Sequence, residues 1–153
     1  MLNSKTNSTM QVRYTNPENL ISFNPHEIVK PFFLTNRLIV NIVELSFNLW
    51  VVVPLGFKSD GCSIPWIFRL ILGCKHNPKY VVASIIHDYI VENPQVVDYN
   101  RKLSSQIFYN VLLKEKVNKY LAYVLYLGVE IGQIYNTIFK GKWRNHEQRP
   151  FNI

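Results

Sequence analysis

The strand-like sequence of this chain is concentrated before Pro54 and the helix-like sequence follows it, and that segregation limits the fold more than any other feature. Phe32-Phe33-Leu34 follows Pro31, then RLIVNIVEL covers 37–45 and NLWVVVP covers 48–54. Short runs rich in β-branched and aromatic residues predict strands, with a tight turn near 46–48. Pro54, which cannot donate to a ladder, ends the last of them. Strands first and helices second imply an α+β fold: a small N-terminal antiparallel sheet followed by a bundle of about four helices.

The helices are bounded by local signals. Ser63 ahead of Ile64 and Pro65 caps a helix over about 64–72, with Pro65 in the first turn, where a missing N–H costs nothing, and Gly73 as its stop. A second helix runs from Pro78 to about Val91 and closes at Glu92-Asn93-Pro94. Asp98 or Asn100 caps a third, reaching about Glu115, in which Leu103, Ile107, Val111 and Leu112 recur at helical spacing.

The last helix, YLAYVLYLGVEIGQIYNTIF over 120–139, contains one charge in twenty residues and reaches bilayer-spanning length. Glu130, Gln133 and Asn136 nevertheless recur every third residue and form one polar stripe, the mark of a helix half buried in a protein core. Gly128 and Gly132 form a GxxxG pair suited to close helix packing within the domain.

A length of 153 residues supports one core. Residues 1–18, polar and without periodicity, are expected to form a flexible arm, 19–140 the domain, and 141–153 a basic tail. Cys62 and Cys74 lack metal-ligand spacing, and the N-terminal sequence lacks the apolar stretch of a signal peptide. A reduced, cytoplasmic setting, inside a bacterium or within a virion, is therefore expected. A formal net charge of +7 favours an acidic partner. Nucleic acid ranks below protein as that partner, because no recognition motif accompanies the charge.

Residues able to carry chemistry gather between Gly56 and Ser105. Asp60 sits in a Ser-Asp-Gly turn, where a carboxylate can accept from its own neighbouring amides. His87 and Asp88 fall within VVASIIHDYIV, an apolar run in which both need partners. Ser84, His87 and Asp88 stand at i, i+3 and i+4 on one helix. One reading makes Asp60, His87 and Asp88 a catalytic or metal-ligating group, with an imidazole nitrogen and two carboxylates holding a divalent ion that activates water. The other makes them a structural network in which His87 and Asp88 bond the amides and Ser63 hydroxyl of the Asp60 loop. No cofactor is expected under that second reading.

Arg101 and Ser105, one turn apart, extend the set: Arg101 can pair with Asp60 or Asp88, or remain a solvated helix terminus. The chain has no Walker loop, GxSxG elbow or HExxH sequence. His76, in an inter-helix loop, is a poor substitute for the additional histidine of a tandem His-Asp phosphohydrolase.

Four segments, Val53-Pro54, GFKSDGCSIP (56–65), HDYIV (87–91) and RKLSSQIFY (101–109), resemble an uncharacterised domain family common in tailed-phage and prophage genomes. Its hallmarks are a strand ending in Val-Pro, a GFxTDGASxP loop, HDYLY and RxxADxxFY. The resemblance spans roughly Val51 to Trp143 and implies phage origin and a compact α+β domain. It also implies that Asp60, His87, Asp88 and the position of Ser105 line a site. Here Ser105 stands where the family has aspartate and Val91 where it has tyrosine. A hydroxyl is a much weaker metal ligand than a carboxylate.

The expected function is that of a small phage-encoded interaction protein, either a virion accessory component or an inhibitor of a host defence system, non-enzymatic and bound to a phage or host protein. The alternative is a metal-dependent hydrolase of cell-wall or phosphodiester bonds. The third reading is a membrane-associated lysis factor using the 120–139 helix.

Overall fold

The computed structural model describes residues 10–14, 21–27, 30–59 and 78–140, with the backbone alone for 78, 135–137, 139 and 140. Asp60, Ser63, the expected 64–72 helix, His76, both cysteines and the 141–153 tail lie outside the described residues.

Among the described residues, six strands form two antiparallel three-stranded sheets, and three α-helices follow them in sequence. The first sheet has the order β1 (Gln11–Tyr14), β4 (Leu38–Glu44), β5 (Phe47–Val53). The second has the order β2 (Ile21–Phe23), β3 (Phe32–Leu34), β6 (Lys58–Ser59). The α+β class is the one expected from the sequence.

The β4–β5 hairpin turns at Leu45-Ser46, one residue earlier than expected, with Glu44 opposite Phe47. Alternation fixes its faces: Leu38, Val40 and Ile42 point inward with Val51 and Val53, whereas Ile39, Trp50 and Val52 point outward. Strand β1 falls within the stretch expected to be an arm. Its Gln-Val-Arg-Tyr sequence alternates polar and apolar residues, and Val12 and Tyr14 turn toward the core. A turn at 54–57, closed by Phe57 N–H donating to the Pro54 carbonyl at 3.2 Å, leads from β5 to β6. Gly56 takes φ +80 there, which a side chain would disfavour.

Helix α1 (Pro78–Glu92) is the central element, with Tyr80 to Ile86 all buried. A helix apolar nearly all round must be covered on several sides. It packs against β6 and α2 (Arg101–Lys114), which in turn packs against β1 and α3 (Lys119–Lys140). A 3₁₀ turn, Pro94–Val97, joins α1 to α2. Asn100 caps α2 by accepting from Leu103 N–H at 3.0 Å, and Asp98 ends the 3₁₀ turn in the left-handed region.

One core joins the inner face of the first sheet to the three described helices. On α3, Ala122, Leu125, Gly128 and Gln133 are buried, whereas Gly132, one turn beyond Gly128 on the same side, is exposed, so only one glycine of the GxxxG pair is packed within the domain. Among the described residues, no helix is long and apolar enough to cross a membrane.

Candidate functional site

Helix α1 presents His87 and Asp88 to different neighbours, because consecutive helical residues diverge by about 100° around the axis. His87 turns toward α2 and α3. Its Nε2 meets the Gln133 side-chain amide nitrogen, and its ring packs edge-on to Phe108 with centroids 5.4 Å apart. Asp88 turns toward the second sheet, where Oδ2 accepts from Ser59 Oγ at 2.5 Å.

Gln133 is the hub of the first group. It is 2% exposed, and its Oε1 accepts from Ser105 Oγ at 3.2 Å while Nε2 donates to Ser104 Oγ at 3.4 Å. Ser105 Oγ also lies 3.5 Å from the Arg101 carbonyl. Three helices therefore meet around one amide, with imidazole, hydroxyls and carboxamide bonded to one another. Since the amide nitrogen donates, His87 Nε2 accepts and its proton resides on Nδ1. Loss of solvent around the ring lowers the His87 pKa to about 4, so the ring is neutral at pH 7.

The other residues singled out from the sequence separate as follows. Ser84 is buried and donates to the Tyr80 carbonyl of its own helix at 2.7 Å, so its hydroxyl serves α1 itself. The Arg101 guanidinium pairs with neither Asp88 nor solvent alone but with Glu130 at 3.7 Å, the acid of the polar stripe on the last helix. Asp60 and Ser63 lie outside the described residues, so the part of the constellation that depends on them does too. His87, Ser105 and Arg101 are linked through Gln133 and the backbone of α2, while Asp88 belongs with Ser59.

The Gln133 hub is not among the site residues expected from the sequence. Its signal was its place beside Glu130 and Asn136 at three-residue spacing on an otherwise apolar helix.

As a metal site the described residues fit poorly. His87 Nε2 is engaged by Gln133, and among the described residues no group of three His, Cys, Asp or Glu side chains is placed to hold an ion. Proton transfer at neutral pH is disfavoured as well, because a base with a pKa near 4 binds a proton weakly there.

Residues 41–129, more than half of the chain, match a family described as "Protein of unknown function (DUF1353)". The chain belongs to that family. The DUF1353 match contains Ser59, His87, Asp88, Arg101 and Ser105 but ends before Gln133. A stretch of 40 residues is 48% identical to "Uncharacterized protein y4jT" of Sinorhizobium fredii (strain NBRC 101917 / NGR234). That similarity covers 26% of this chain and spans only 12% of the relative's length. No solved structure matches.

Proposed function

We propose that this DUF1353 chain acts by binding an acidic protein, of phage or host origin, and not by turning over a substrate. In a phage setting it would serve as a virion accessory component or as an inhibitor of a host defence system. The observation that carries the reading is Trp50, 61% exposed midway along the edge strand β5 on the outward face of the first sheet. Ile39 and Val52, directly opposite one another, extend the apolar surface, and beyond the buried Asn41 of β4 the exposed Arg13 of β1 continues the Trp50 row. Exposed tryptophan and arginine on a rigid sheet are the side chains that most often dominate a protein interface. The chain's net charge of +7 steers an acidic partner toward it. The closed polar group around Gln133 supports the same reading, since it leaves His87 without its Nε2 lone pair for chemistry.

The test uses purified protein as bait in extracts of phage-infected cells, in parallel with Trp50→Ala. The captured protein is then purified and titrated against both forms. Loss of about 2 kcal/mol, roughly thirtyfold in affinity, is expected for the variant. Equal affinity for the two forms would remove the sheet face as the binding surface.

A metal-dependent hydrolase remains the second reading because of one contact: the Ser59 to Asp88 bond draws the residue before Asp60 against α1. It requires stoichiometric divalent metal in the purified protein, lost in His87→Ala with the fold intact. Metal-dependent turnover of a cell-wall or phosphodiester substrate would favour this reading over the first.

A further inference from the structure

We infer that β5 takes up an extended acidic segment of another protein as an added strand, an inference that rests on the binding role proposed for the sheet and names how the partner is held. The register of the β4–β5 hairpin decides which main-chain groups are open. Glu44 and Phe47 flank a two-residue turn, so they exchange both N–H···O bonds, and the pairs Ile42–Leu49, Val40–Val51 and Leu38–Val53 repeat the pattern. Asn48, Trp50 and Val52 therefore turn both N–H and carbonyl away from β4. The same phase persists past the bend toward β6, where Leu34 N–H donates to the Phe57 carbonyl at 3.0 Å. β5 is the last strand of its sheet, and among the described residues no backbone group bonds those three residues on the outer side.

Proteins usually protect such an edge with charge, proline, a bulge or shortness. β5 has none of these protections. It runs for seven residues, FNLWVVV, and its ladder with β4 continues from Leu38–Val53 to Glu44–Phe47 without a bulge. The opposite edge of the same sheet differs: β1 has four residues, with Gln11 and Arg13 exposed. The continuation of β5 into β6 is covered as well, since Ser59 is buried and bonded to Asp88 of α1. The unprotected length is thus confined to the strand that carries Trp50.

Backbone and charge together identify the occupant. Open N–H and carbonyl groups at alternate residues are matched by an extended chain, whose own alternate side chains meet Trp50 and Val52 on the exposed face. A helix, with its main-chain groups already bonded, cannot satisfy them. A second copy of β5 is opposed by the net charge of +7 that each copy carries. Acid is drawn to this sheet instead: Arg13, in the Trp50 row, and Arg37, beside the Val53 end of β5, are exposed, and neither pairs with a carboxylate among the described residues.

The experiment follows the backbone amides of the full chain by NMR while a blocked peptide of alternating Glu and Val, about as long as β5, is added. In the free chain the amides of Asn48, Trp50 and Val52 are expected to exchange quickly and those of Leu49 and Val51 slowly. The peptide should slow the first set. Its counterpart N-methylated at every peptide bond, and another with Lys in place of Glu, should each bind at least about tenfold more weakly. Val52→Pro removes one outward donor and no bond to β4, a position at which edge strands tolerate proline. It should weaken the peptide about tenfold relative to Val52→Ala, with the circular dichroism unchanged. Slow exchange of all three outward amides in the free chain would mean that this chain or a second copy already occupies the edge, and it would overturn the proposal. So would equal binding of the N-methylated peptide, or no binding of the Glu–Val peptide. A captured protein that loses affinity with Trp50→Ala but not with Val52→Pro would also overturn strand addition while leaving the sheet face as the binding surface. Indifference to both substitutions would end both proposals.

Discussion

At the scale of single residues the decisive pair is His87 and Gln133, 46 positions apart in sequence and in contact across two helices. Replacing Gln133 by leucine fills the space but strands the imidazole Nε2, while Ser105 keeps the Arg101 carbonyl as a partner. A loss of about 1–3 kcal/mol in urea denaturation is expected, with part of it recovered when His87 also becomes leucine. The same pair sets a pH dependence. Above the unfolded-state pKa of about 6.5 the ring is neutral in both states. As pH falls from there toward about 4, the unfolded chain takes up a proton that the native ring refuses, so stability falls through that window. The loss amounts to at most about 3 kcal/mol and should be absent from the His87→Leu/Gln133→Leu form. That His87 and Asp88 need partners was legible in the sequence, because ionisable groups in an apolar run cannot stay unbonded. Which partners they find was not legible, since Ser59 and Gln133 reach them through tertiary packing.

At the scale of elements the helix signals translated well. The second helix, expected from Pro78 to about Val91, occupies Pro78–Glu92, and Asn100, one of two candidate caps, does cap α2. The short strands were harder to place. Strand β1 has four residues, too few for alternation to stand out from a polar leader, and exists because the open edge of β4 accepts it. The end of α2 holds a conflict between sequence and structure. Lys116 N–H donates to the Leu113 carbonyl and Val117 N–H to that of Leu112, the paired bonds of a helix stop that favours glycine. Yet lysine stands there at φ 60, and the buried Val117 locks the turn in place. Lys116→Gly is expected to raise stability by up to about 1 kcal/mol, because it removes the left-handed strain of a side chain. Asn100→Ala, by contrast, should lower stability by about 1 kcal/mol. Thermal unfolding of both variants in one buffer checks the opposite signs.

At the scale of the whole molecule, chemistry is folded inward and apolar side chains are turned outward. The polar groups of α1, α2 and α3 close on one another around Gln133, while Trp50 on the sheet and the outer apolar side of α3 face solvent on separate elements. The sequence showed an unusually apolar last helix and a polar stripe along it. It could not show which apolar side the domain would leave uncovered, because that depends on how much of the helix α2 can cover. A chain that worked by turnover would offer the His87 Nε2 to a ligand; here the ring is partly buried and Nε2 is engaged by Gln133. Nitrogen-detected NMR of His87 separates the two most directly, with the resonance assigned by comparison with His87→Leu, and with spectra taken with and without zinc. The account predicts a neutral ring with its proton on Nδ1, titrating near 4 and unmoved by zinc. Titration near the ordinary histidine value of about 6.5, together with a zinc-induced shift, would contradict it.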